Sequence, residues 1–337
     1  MKRSALLLVG SALALHDPTA GIAPPDAPSI TSTVRTGSGD WTFESVAGWA
    51  KLPDDRPLGP THGGVAVDKQ GRVYVGSDGK CGILVFAKDG KLEKTIAEKY
   101  PGCHSLLLVE EKGEEFLYAA HLAGHEALKM QLDGTVVWTL GVPMETGAYK
   151  TADDYHPTAI VPAPDGSYFV ADGYGTSLIH KYGPDRKWVK SFAGSGEGDG
   201  KCRTCHGLAI DARSGKPLLL VCDRENRRLV RFDLDGNYVD TIATGLRRPC
   251  SVAFRGDHLA VAELEGRVTI LDGKNAEIAH LGDNPDTSQR ANYSTSPAAW
   301  KNGVFTAPHG LAFDAGGDLY VQDWNQSGRI SRLRRLP

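Results

Sequence analysis

No stretch of this 337-residue sequence is long and apolar enough to cross a bilayer as a helix. The longest apolar run, ALLLVGSALAL from Ala5 to Leu15, falls short of the roughly 20 residues that a span needs. An excess of one charge is missing too. Lys and Arg number 38 against 41 Asp and Glu, a formal charge of −3 with a pI near 6.4. That balance leaves no electrostatic footprint for nucleic acid or an anionic membrane, and neither is expected as a partner. The basic ending RISRLRRLP is local, the solvated face of a final strand.

Glycine and proline are abundant, at 40 and 19 residues, which points to many tight turns and many short strands. Lys2 and Arg3 precede the apolar run, and small residues follow it at Ala12-Leu13-Ala14 and Pro18-Thr19-Ala20. Charge, apolar stretch and cleavage site come in the order of a secretory signal peptide. Residues 1–20 are therefore expected to be that signal and residues 21–39 a flexible Pro-, Ser- and Thr-rich lead-in. Residues 40–337 form the folded domain, and the protein is expected to be secreted or periplasmic. Six cysteines in an exported chain can pair as disulfides. Fifteen full connectivities are open, and position suggests Cys202–Cys205, Cys81–Cys103 and Cys222–Cys250.

Cys202-x-x-Cys205-His206 has the spacing that attaches a c-type haem. The alternative is that His206 belongs to a repeat. Six copies of one unit can be aligned, opening at His62 (HGGVAVD), Cys103 (CHSLLLV), His156 (HPTAIVP), Cys205 (CHGLAID), Pro249 (PCSVAFR) and Pro308 (PHGLAFD). Each continues through a Gly turn into a second apolar strand. Most go on to a third strand, an Asp-Gly or Gly turn and a fourth. Their spacing suits four-stranded blades with variable loops, which must stack around a centre to bury both faces. The sixth copy ends after its third strand, and Asp40 to Pro53, DWTFESVAGWAKLP, can supply the fourth. The expected fold is all-β, a six-bladed β-propeller whose ring is closed by the N-terminal strand, which removes an open edge. A monomer is expected. Long connections at 141–155 and 282–306 both enter a first strand and should shape one mouth.

One column of the repeat carries chemistry. It reads Gly63, His104, Thr158, His206, Cys250 and His309, so histidine occupies every other blade. Alternate blades of a six-fold ring differ by about 120°, which aims three imidazoles at one point on the axis. Three neutral imidazoles with a fourth position open suit a catalytic Zn²⁺. The repeat explains His206 without a haem, and haem c is not expected. Tyr174 and Arg224, at the ends of second strands, fall on the same face. A phenol near Zn²⁺ and a guanidinium can ionise below its usual pKa and serve as a general base. An arginine can hold a substrate carboxylate bidentately.

On these residues the chain resembles NHL-repeat propellers, and in particular the peptidyl-α-hydroxyglycine α-amidating lyases. The resemblance rests on the column His104, His206 and His309, on ADGYGTSLI around Tyr174, and on CDRENRRL around Arg224. It implies a zinc held by the three histidines, Tyr174 as base and Arg224 lining the site. The implied activity is C–N cleavage of a hydroxyglycine-type peptide, or another small carboxylate-bearing substrate, as in a peptidylamidoglycolate lyase. Three departures stand against it. Ala307 replaces a methionine, the first blade lacks an arginine among Ser77, Asp78 and Lys80, and Gly310 stands where a calcium ligand is expected. Calcium is therefore not carried over. Two alternatives remain, a metal-dependent lactonase or hydrolase and a non-enzymatic NHL propeller that binds a ligand or protein.

Overall fold

The computed structural model describes residues 33–337, and the segment expected to be a signal peptide lies outside the described residues. Twenty-five strands form six antiparallel sheets, with short 3₁₀ turns and no α-helix among the described residues. No described helix is long and apolar enough to cross a membrane. Five sheets are single blades of consecutive strands, spanning 65–96, 103–140, 159–193, 205–244 and 249–281. The sixth combines Pro308–Phe313, Leu319–Asp323 and Arg329–Arg335 with the N-terminal strands Trp41–Val46 and Val34–Ser38. The fold is thus the expected six-bladed propeller. Ring closure takes the expected form, with Phe43 opposite Arg335 and Val46 opposite Arg332.

Val34–Ser38 adds a fifth strand, pairing Val34 with Ser45. It lies within the segment expected to be a flexible lead-in, so the ordered sheet reaches back further than the composition of that segment suggests. The physical reason is the exposed edge of Trp41–Val46, whose free backbone groups this strand satisfies.

Each blade is buried on both faces, and alternation decides which core each side chain joins. In Leu218–Asp223, all six residues are buried. Leu219 and Val221 pack toward blade three, while Leu220 and Cys222 pack toward blade five. The same period of two puts Tyr74 in the core shared with blade two, and Val73 and Val75 in that shared with blade six. Six such cores, one per blade interface, hold the ring.

The connection at 141–155 is pinned to blade three through a buried polar chain. The Tyr149 hydroxyl donates to Asp172 Oδ2 at 2.9 Å and meets His180 Nε2 at 2.6 Å, while His180 Nδ1 contacts Ser191 Oγ at 2.8 Å. Tyr149→Phe leaves the buried His180 Nε2 without its partner, while Asp172 keeps its bonds from Thr176 and His156. It should lower unfolding free energy by about 1–3 kcal/mol in a denaturant titration. An unchanged midpoint would mean that the connection is not held there.

Candidate functional site

The inner strands of four blades begin with a break in pairing register. The breaks fall between Cys103 and Ser105, Cys205 and Leu208, Pro249 and Ser251, and Pro308 and Gly310. The residues left out of the ladder include His104, His206, Cys250 and His309. A bulge of this kind bends the strand and re-aims the extra side chain, here toward the axis. Two places before the column, Gly102, Thr204 and Arg248 have left-handed φ values of 76°, 60° and 59°. For threonine and arginine that conformation costs about 1–2 kcal/mol, so the local turn is imposed by its surroundings.

Glycine next to the column serves close approach. A Cβ on Gly207 would stand 2.5 Å from the Cys250 carbonyl oxygen, and one on Gly310 only 1.6 Å from that of Gly63. Gly63 itself fills the first copy's column position because a side chain there would meet His309 Nδ1 at 2.2 Å. The structure brings the three histidines together, with ring centroids 4.5–4.9 Å apart and 2–3% exposure. They sit on a central channel of about 460 Å³ that continues past inner-strand side chains such as Leu108, Val161 and Ile210.

Hydrogen bonds fix two of the imidazole tautomers. His104 Nδ1 lies 2.7 Å from the Thr158 carbonyl oxygen and His206 Nδ1 lies 2.8 Å from that of Cys250. A carbonyl only accepts, so in the neutral rings Nδ1 carries the proton and Nε2 a lone pair. Both Nε2 atoms face the Tyr174 hydroxyl, at 3.1 and 2.9 Å. Arg224 Nη1 donates to the same oxygen at 2.9 Å. One phenolic hydrogen can satisfy only one of those two lone pairs. His309 adds a buried Nδ1 with no partner. The cluster holds more lone pairs than protons, and that favours a cation.

Burial, followed by neighbouring positive charge, holds His104, His206 and His309 well below the usual imidazole pKa, so all three are neutral at pH 7. Burial also pushes the Tyr174 phenol up to about 12, against the pull of Arg224. Arg224 alone does not outweigh desolvation, so a lowered phenol pKa of the kind expected needs the charge of the metal as well. Arg224 Nε meets Glu225 Oε1 at 2.9 Å, and Arg248 Nη2 meets the same oxygen at 2.6 Å. Two guanidiniums on one carboxylate leave a net positive charge beside Tyr174.

Donor atoms gather within 4.8 Å of one another in two sets, His62 with His104 and His309, and His206 with Cys250 and His309. His309 belongs to both. His62 and Cys250 were not among the residues expected from the sequence to bind metal. Cys250 stands in the repeat column, and its residue type was the available signal. His62 stands one place before that column, its ring 4.7 Å from His104 and 5.2 Å from His309, with Asp78 3.3 Å from its Nδ1. The neutral imidazoles and the tautomers that leave Nε2 lone pairs on His104 and His206 fit a divalent metal with N and S preference.

Three other histidines lie away from the axis. His156 packs on His125, whose Nδ1 faces the Tyr155 carbonyl, while His121 faces the Pro101 carbonyl and Glu126. All six cysteines are free thiols, so none of the three suggested pairings is formed. Five of them are buried, where a thiol packs as a small apolar group. Cys202 and Cys205 belong to the core between blades three and four, which accounts for both without a haem. Burial pushes the Cys250 thiol up to about 11, with Arg224 and Arg248 acting against it.

No family model matches the chain. It is 26% identical over 186 residues to Protein lin-41 of Caenorhabditis elegans, a match covering 51% of this chain and 15% of that protein. Among solved structures it is similar to a streptogramin B lyase, with TM-score 0.57 and 14% identity over 88% of this chain and 99% of that one. A catalytically inactive His-to-Ala variant of virginiamycin B lyase from Staphylococcus aureus, determined with quinupristin, gives TM-score 0.55 and 14% identity over 87% and 99%. A gluconolactonase from Xanthomonas campestris gives TM-score 0.59 and 13% identity over 90% and 97%. Identities this low carry the fold alone, and with the strand order and repeats they make this chain a six-bladed β-propeller.

Proposed function

We propose that this chain is an exported zinc-dependent lyase acting on a hydroxyglycine-type peptide or another small carboxylate-bearing substrate. The observation that carries the reading is the Tyr174 hydroxyl, held between two buried imidazole nitrogens and the Arg224 guanidinium. His104, His206 and His309 would hold the metal. When bound, it polarises a substrate oxygen and adds a second positive neighbour to the phenol. Tyr174 Oη is placed to take a proton from a substrate hydroxyl and return it to the departing amide nitrogen. Arg224 and Arg248, sharing Glu225, supply the positive charge that orients a carboxylate. Burial of the imidazoles excludes bulk water and strengthens these interactions. The inactive His-to-Ala variant of virginiamycin B lyase supports a histidine role in a propeller of similar shape.

A metal-dependent lactonase or hydrolase built on the same residues is the second reading. The first blade favours it, since it offers Asp78 against His62 in place of an arginine, as does the fold of the gluconolactonase. Elemental analysis of the purified protein tests the metal that both readings require. One zinc per chain is expected, and none in the His104→Ala, His206→Ala, His309→Ala triple variant. A folded wild-type protein that takes up no divalent metal would sink both readings. Release of glyoxylate from α-hydroxyglycine peptides, set against hydrolysis of lactones, separates them.

A further inference from the structure

We propose that Cys250 is a ligand of the same metal, so that the centre is a mixed thiolate and imidazole site. This rests on the reading of the histidine cluster as a metal site and deepens it. Three observations converge on Cys250. Its Sγ lies within 4.8 Å of donor atoms of both His206 and His309, and all three residues are buried. Cys250 also occupies the histidine column of blade five, and its strand opens with the same break in pairing that aims the histidines. Finally, the left-handed residue two places earlier, Arg248 at 59°, matches Thr204 at 60° before His206.

The chemistry fits. A thiolate beside imidazoles selects zinc, cobalt or copper over calcium and magnesium. Binding removes the Sγ proton to solvent, so metal uptake should release one proton from this residue. The His206 Nδ1–H bond to the Cys250 carbonyl, at 2.8 Å, couples the two ligands through the backbone. Rotating one ring then strains the other residue's main chain.

X-ray absorption on the zinc-loaded full chain reads the ligands without any substitution. One sulfur at about 2.3 Å beside nitrogens at about 2.0–2.1 Å is expected. Cobalt substitution should give a near-ultraviolet thiolate charge-transfer band. Cys250→Ser should abolish that band and weaken cobalt binding by about tenfold or more, since even loss of an orienting partner costs about 10–100-fold. Cys222→Ala, one layer away, should leave both intact. A shell of nitrogen and oxygen alone overturns the proposal and leaves the histidine site standing. A band that survives in Cys250→Ser, or Cys250 recovered in a disulfide with Cys222, overturns it likewise. A folded wild-type chain that takes up no metal removes both proposals together.

Discussion

Tyr174→Phe is expected to lower kcat by about 10²–10⁴-fold, the usual worth of a positioned acid–base group. Metal content should not change. The ring stays and only the hydroxyl goes, so packing against the histidines is kept, and any loss reports proton transfer. Arg224→Lys is the companion. An ammonium can still neutralise a carboxylate but cannot reproduce the two-pronged guanidinium contact, so its effect should fall mainly on KM. Steady-state kinetics on α-hydroxyglycine peptides, with glyoxylate as the product scored, check both. Wild-type turnover in Tyr174→Phe, on any substrate the protein accepts, removes Tyr174 from the chemistry.

Acid should destabilise the metal-free protein steeply. His104, His206 and His309 are held well below the ordinary imidazole pKa by burial, and burial lowers His180 to about 4. Above pH of about 6.5 these groups are neutral in folded and unfolded chains alike, and contribute no pH dependence. Below it, the unfolded chain takes up protons that the folded chain refuses, so stability falls as pH falls. Each group contributes up to about 1.4 kcal/mol per pH unit until its folded pKa is reached. Four together can reach about 5 kcal/mol per unit, comparable to the whole stability of many domains. Urea titrations at successive pH values should be flat above pH of about 7 and drop sharply toward pH 5. A flat profile through that window would mean that the imidazoles are protonated in the folded state.

The blades are legible in the sequence because a strand buried on both faces and closed by a Gly or Asp-Gly turn leaves a mark every time it recurs. The His column is legible for the same reason, since the strand starts superpose. Val34–Ser38 is not, because VRTGS has no counterpart in the other copies and is placed by backbone pairing with Trp41–Val46 and by Thr36 and Ser38 bonds to blade five. His62 escapes a column argument by standing one residue outside it, and it reaches the site beside a column position that Gly63 leaves without a side chain. Cys250 lies in the column but is passed over when only histidines are counted. The bulges that aim all four column residues come from register shifts between strands, which no spacing along the chain reports. The direction of the Tyr174 shift depends on how deeply the phenol is enclosed, a three-dimensional quantity.

The pairing of Val46 with Arg332 also dictates an order of events during synthesis. The hairpin 34–46 is made well before its partner strand, Arg329–Arg335, which follows it by some 280 residues. Until then its edge is bare and open to wrong partners. Joining the two ends closes a loop of some 286 residues at an entropic cost of about 5 kcal/mol, which places this step late and makes it slow. Deleting Arg329–Arg335 would therefore cost more than one strand. It would cut Trp41–Val46 and Val34–Ser38 off from Leu319–Asp323 and Pro308–Phe313, and leave the sixth blade in two unjoined halves.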